Sequence, residues 1–196
     1  MNNKIIAISR EFGSGGRTVG KLLAEKLGIP CYDHDIIQKI AEESGLCEEF
    51  IAERGEYATH GNWFANAFAD RDYYGHSLQD DIWFAQRKII KELAEKGPCV
   101  IVGRCADYIL KDNPECLKVF IRADIPCRAK RIVEQYGESD IAPERRLRDK
   151  DKRRGAFYQF YTDRKWGDIK NYDIVLSMSA LGIEKCAEIL ADIYNK

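Results

Sequence analysis

The residues best equipped for chemistry lie early in the chain, in "SREFGSGGRT", Ser9 to Thr18, between an apolar run and a helical one. Gly13, Ser14, Gly15 and Gly16 let the backbone turn its amides inward and let an anion approach closely. A helix starting there adds partial positive charge at the same spot. The chemistry this predicts is the cradling of phosphate oxygens. The strict pattern for such a loop is GxxxxGK[ST], and this segment holds no lysine. Two registers are open. Setting Gly16, Arg17 and Thr18 on GK[ST] puts Arg17 at the lysine, Thr18 at the magnesium-binding hydroxyl and Glu11 at the first glycine. Counting from the strand and the helix instead puts Gly16 at the lysine, and Thr18 then matches the second hydroxyl of GKST or GKGT loops. Either way a guanidinium stands near the phosphates. Arg17 could supply the charge, since its fork grips two oxygens, and Arg10 is another candidate. A plain strand-to-helix turn with three glycines is what the loop alone leaves as the alternative.

Arginines form the second set. Gly103-Arg104 follows the apolar run "CVIV", where a fixed guanidinium suits a phosphate or carboxylate; pairing with Asp107 is the alternative. "DIPCRAKRIVEQYG" puts Arg128 and Arg131 three apart, on one helical face. "ERRLRDKDKRR" holds seven basic and three acidic residues in eleven positions, with Asp151 and Arg154 again three apart. That pair is either a surface ion pair or a polar fork that reads a base or a phosphate. Asp33 and Asp35 in "YDHD" could accept a ribose hydroxyl, hold a magnesium-bound water or cap a helix, while His34 reads as a loop histidine. Trp63, Phe64, Tyr73 and Tyr74 could stack on a base or simply pack.

The elements that must position these groups alternate along the chain. Short apolar strands are expected at Lys4 to Ser9, "IPCYD", "CVIVG", "CLKVFIRA" and "NYDIVLSMS". Helices are expected from Thr18 to Leu27, in "HDIIQKIAEESG", "CEEFIAERGEYA" and "LQDDIWFAQRKIIKELAEKG", and briefly in "CADYILKDNP". Three more follow: a helix capped by Asp124 with Pro126 in its first turn, a basic one in "APERRLRDKDKRRGAFYQFY", and the last in "LGIEKCAEILADIYNK". An aromatic stretch, "THGNWFANAFADRDYYGHS", lacks a clear period and reads as an irregular segment over a cleft. Alternation from end to end predicts an α/β, doubly wound fold with a parallel sheet. Ligands in such folds bind at the carboxyl ends of the strands. The 196 residues read as one domain, 1–196, with a cap at about 45–80 and a lid at about 128–160.

Composition narrows the field. The net charge of −1 gives no global field toward nucleic acid or membranes, so anion binding must come from local clusters. Seven cysteines, an odd number with no CxxC spacing, read as reduced thiols of a cytoplasmic protein. No segment is long enough to span a membrane, and the N-terminal apolar stretch is too short for a signal peptide.

Taken together, these motifs resemble the nucleoside monophosphate kinases, and among them the cytidylate kinase-like proteins. "IIAISREFGSGGRTVGKLLAEKLG" is similar to that family's start, "YDHDII" to the segment carrying an acceptor-site aspartate, and "IVGRCADYIL" to its "GRDIG" element. "KVFIRADIPCRAKRI" resembles the strand and arginine helix that lead into the lid; "DKRR" resembles the "DxxR" that reads the cytosine nucleotide. Cys105 stands where "GRDIG" has its aspartate, and the stretch from Gly45 to Gly75 does not match the family's acceptor-binding insert. The resemblance implies a P-loop kinase-type three-layer fold with a five-stranded sheet, and transfer of phosphate from ATP, with Mg²⁺, to CMP or dCMP. It implies that Gly13 to Thr18 cradle the donor, Thr18 ligates the metal and Arg17, Arg128 and Arg131 act on the transferring group. Asp33, Arg104, Asp151 and Arg154 would hold the acceptor. A kinase for another small molecule, and a nucleotide-binding sensor without turnover, stay open beside it.

Overall fold

A computed structural model describes residues 4–33 and 78–196. The expected helices of "HDIIQKIAEESG" and "CEEFIAERGEYA", the aromatic stretch, His34 and Asp35 lie outside the described residues, as does most of the expected cap. The chain begins with β1 (Ile5–Arg10), α1 (Gly16–Leu27) and β2 (Cys31–Tyr32), and resumes in α2 (Leu78–Glu95). β3 (Cys99–Val102), α3 (Ala106–Ile109) and β4 (Cys116–Arg122) follow, then α4 (Ile125–Tyr136) and α5 (Pro143–Thr162). A 3₁₀ turn at Ile169–Asn171, β5 (Ile174–Ser177) and α6 (Met178–Tyr194) complete it.

The strands form one parallel sheet in the order β2-β3-β1-β4-β5. Its centre is β1, where Ile8 lies opposite Val102 of β3 and Val119 of β4. Period-two alternation divides its side chains between two cores. Ile6 and Ile8 pack with Val19 and Leu23 of α1 and Leu190 of α6, whereas Ile5 and Ala7 pack with Ile89, Ile90 and Leu93 of α2. Burial on both faces explains why residues 5–8 of β1 and the whole of β3 read as unbroken apolar runs. Each such Ile or Leu contributes roughly 1.5–3 kcal/mol of transfer free energy.

Helix α1 rides close to the sheet because Gly20 faces it. A Cβ on Gly20 would lie 2.8 Å from Val102 Cγ2. That approach sets the height of the glycine loop over the carboxyl ends of β1 and β3. Asp124 stands at the N-cap of α4 as expected, with Pro126 in the first turn, but its side chain makes no capping bond; its amide instead donates to Ser179 Oγ at 3.1 Å. Helix α5 buries only Leu147, Tyr158 and Thr162, so it is a polar helix held at a few points.

Candidate active site

The glycine loop is built by two left-handed glycines. Gly13 has φ 75° and Gly15 φ 80°, and α1 starts directly after, at Gly16. The first helical bond runs from Val19 N–H to Gly15 O, at 2.9 Å. The amides of Gly16, Arg17 and Thr18 therefore precede any intrahelical acceptor and point along the helix axis. Gly13 also needs its missing side chain, since a Cβ there would lie 2.8 Å from Ile132 Cγ2 and 3.0 Å from Arg128 O. The loop is thus seated on α4. Ser14 is fully buried within it, and its Oγ has no hydrogen-bond partner among the described residues.

Residues of α4 and α5 clamp the loop's backbone. Phe12 N–H donates to Asp151 Oδ1 at 2.8 Å, and Arg128 Nε donates to Phe12 O at 2.7 Å. Arg128 also pairs with Asp151, and with Glu11 Oε2 at 3.4 Å. Glu11 Oε2 in turn accepts Ala123 N–H at 2.9 Å. Only 5% of Arg128 is exposed, and it stays out of the cleft. Arg128 and Asp151, expected to act on the transferring group and on the acceptor, are here engaged with Phe12.

Other arginines do face the cleft. Arg131 Nη2 donates to Thr18 Oγ1 at 2.8 Å, and its guanidinium passes 3.5 Å from where a Cβ on Gly15 would stand. Arg154 Nη1 donates to Arg10 O at 3.1 Å, and its guanidinium lies 5.6 Å from the centre of the Phe12 ring. Arg17, also on the cleft wall, is engaged in an ion pair with Asp33 just past β2, with 53% of its side chain exposed. Asp33, expected to meet a ribose or a metal-bound water, has that guanidinium as its partner.

Arg104 is held by strain. Gly103, Arg104 and Cys105 are successive left-handed residues, at φ 81°, 56° and 54°. A non-glycine residue in that region costs of order 1–3 kcal/mol and persists only where the surroundings impose it. Here Gln86, fully buried in α2, donates from Nε2 to Arg104 O at 2.8 Å. Asp107 takes different partners from the Arg104 weighed in sequence: it accepts Ser9 Oγ–H at 3.0 Å and Tyr158 O–H at 2.6 Å. Burial pushes the Asp107 carboxyl up, while the bonds from Tyr158 and Ser9 pull it down; burial, with Asp107 beside it, pushes the Tyr158 phenol up. This polar knot ties β1, α3 and α5 together beneath the cleft.

The cleft so formed measures about 530 Å³. Among the described residues its lining has six cations, Arg10, Arg17, Lys21, Arg104, Arg131 and Arg154, against two carboxylates, Glu11 and Asp33. In a chain of net charge −1, that concentration suits a polyanion bound between low-dielectric walls. Lys21 and Gln86 carry no motif in the sequence, and Glu11 enters there only as a pattern position; Lys21 lies one turn beyond Arg17, a spacing that points to it. No group of three or more His, Cys, Asp or Glu among the described residues could hold a metal. Thr18 Oγ1 keeps a lone pair beyond the one Arg131 engages, which fits a magnesium ion shared with phosphate oxygens. No described helix is long and apolar enough to cross a membrane.

A left-handed glycine turn between the central strand and its helix, flanked by two helices rich in arginine, is the architecture of the P-loop kinases. The model of the cytidylate kinase-like family matches residues 5–180, and the chain belongs to that family. It is 33% identical to a cytidylate kinase of Archaeoglobus fulgidus over 94% of this chain and 91% of that one. A crystal structure of an uncharacterized protein from Eubacterium ventriosum is similar at a TM-score of 0.74 and 30% identity, covering 98% of both chains. The fold alone is shared with shikimate kinase from Acinetobacter baumannii, at a TM-score of 0.55 and 17% identity over 96% of this chain and 91% of that one.

Proposed function

We propose that the protein transfers the γ-phosphoryl group of ATP to a nucleoside monophosphate, with CMP or dCMP as the preferred acceptor. The observation that carries this is one cleft with guanidinium groups at both ends: Arg131 over the glycine loop and Arg104 after β3. Relatives named cytidylate kinase support the choice of acceptor.

Phosphoryl transfer asks little covalent chemistry of a protein, so the work is positioning and charge stabilisation. The amides of Gly13 to Thr18 receive the donor phosphates. Arg104, and Arg154 from the lid, hold the acceptor phosphate. An acceptor phosphate oxygen attacks the γ-phosphorus while the bond to the β,γ-bridging oxygen breaks, giving ADP and a nucleoside diphosphate. Arg131 faces the charge that spreads over the transferring group. Thr18 would hold a magnesium ion arriving with the donor, which when bound neutralises charge on the β- and γ-phosphates. A coupled assay of ADP release with a panel of monophosphates tests this. CMP and dCMP should give the highest kcat/KM. ATP binding without turnover on any monophosphate would make the protein a nucleotide sensor instead.

A further inference from the structure

We infer that Arg10 takes the place of the missing loop lysine, through an exchange of residue types between two loop positions. The inference rests on the kinase reading above and names the cation on which its donor site depends. The register comes first. Gly15 is left-handed and caps α1, so it is the second glycine of GxxxxGK[ST]. The lysine position is then Gly16, the pattern's first glycine, six residues before it, is Arg10, and the position of its metal-binding hydroxyl is Arg17, so Thr18 would hold the magnesium ion from one residue further on. The chain has arginine where the pattern has glycine, and glycine where the pattern has lysine.

Sterics show that the two changes belong together. The stem of Arg10 covers Gly16: a Cβ on Gly16 would lie 2.6 Å from Arg10 Cβ and 3.1 Å from its Cγ. No side chain fits at position 16 while Arg10 is present. The far end of Arg10 reaches the turn after β3, where a Cβ on Gly103 would lie 2.0 Å from its Nη1 and 2.8 Å from its Cζ. Two glycines far apart in sequence thus leave a channel that Arg10 fills. Arg154 anchors the Arg10 carbonyl at 3.1 Å. The guanidinium arrives beside Arg104 in the cleft that also holds Thr18 and Arg131. It therefore sits between the loop that would bind the donor and the arginine that would bind the acceptor. A lysine brings a point charge there, whereas this fork can hold two oxygens at once. Arg17 is turned into its pair with Asp33.

The test is calorimetric titration of ATP and of inorganic tripolyphosphate into the full chain, alongside turnover of CMP. The variants are Arg10→Gln, Arg10→Gly, Arg10→Gly with Gly16→Lys, Gly16→Lys alone, and Arg17→Ala. Arg10→Gln keeps most of the stem, so it separates lost charge from lost packing. It should weaken tripolyphosphate at least about tenfold and slow turnover about 10²–10³-fold, a larger loss than Arg17→Ala gives. The double variant should recover most of what Arg10→Gly loses, while Gly16→Lys with Arg10 in place should bind tripolyphosphate more weakly than the wild type, because the two side chains compete for one space. A folded Arg10→Gln protein that binds tripolyphosphate like the wild type overturns the assignment, and so does a double variant no better than Arg10→Gly. Arg10-dependent tripolyphosphate binding in a wild type that phosphorylates no monophosphate upholds the assignment and removes the kinase reading. Unchanged binding and turnover in Arg10→Gln removes the assignment and leaves the kinase reading standing.

Discussion

The backbone amide of Phe12 donates to Asp151 Oδ1 at 2.8 Å, a bond that spans 139 positions and joins the glycine loop to helix α5. Arg128, paired with the same carboxylate, closes the other side by donating to the Phe12 carbonyl. Removing one member of a buried ion pair leaves the other uncompensated, at about 3–5 kcal/mol. Arg128→Met is therefore expected to lower the melting temperature by roughly 10 °C, at about 2–4 °C per kcal/mol for a chain of this size. Asp151→Asn should also destabilise, with similar relative preference among monophosphates. A thermal melt and an acceptor panel on the two variants check this. A shift in acceptor preference with an unchanged melt would make Asp151 a base reader after all.

Arg131 holds the hydroxyl of Thr18 and borders Gly15. Its loss should act on the transferring charge and little on the fold, since no carboxylate depends on it among the described pairs. Arg131→Ala is expected to lower kcat about 10²-fold, with a melt near that of the wild type. Steady-state kinetics over ATP concentration separate this from a binding effect. A raised KM with normal kcat would place Arg131 in ground-state binding alone.

Arg128 and Arg131 also mark where sequence reasoning stops. Helical spacing puts both on one side of α4, and the fold turns that side to the loop. Their partners lie 116 and 113 positions away, at Phe12 and Thr18, and no local pattern encodes which arginine meets which. The strands were legible because residues 5–8 of β1 and all of β3 are buried on both faces and carry no polar side chain. The loop was legible because left-handed turns demand glycine at positions 13 and 15. Two things were hidden. Gln86 looks like any polar residue on an amphipathic helix, and its role follows from a carbonyl that faces it only in the folded chain. Arg104 and Cys105 adopt a backbone that their own types disfavour, so local propensity argued against the turn that presents Arg104.

That turn gives the third prediction. Gln86→Leu removes the donor to Arg104 O and leaves a buried carbonyl unpaired, at about 1–3 kcal/mol. The left-handed run should then relax and move the Arg104 guanidinium. KM for the monophosphate is expected to rise several-fold more than KM for ATP. Equal changes in the two constants would mean that Gln86 supports the fold without positioning Arg104.

The last prediction concerns alkaline pH. Burial pushes the thiols of Cys99 in β3 and Cys116 in β4 up to about 12, from an ordinary value near 9.0. The native chain keeps these protons when the unfolded chain has begun to lose them. Their contribution to stability is complete below pH 9 and is lost as pH rises toward 12. Each thiol contributes a slope of up to about 1.4 kcal/mol per pH unit in that window. Denaturant midpoints at pH 8 and pH 10.5 should therefore fall apart for the wild type. Replacing Cys99 and Cys116 together by valine, which suits a β-strand between apolar neighbours, should narrow the gap between the two midpoints. An unchanged gap would assign the alkaline loss to the buried phenols of Tyr158 and Tyr172, which burial shifts in the same direction.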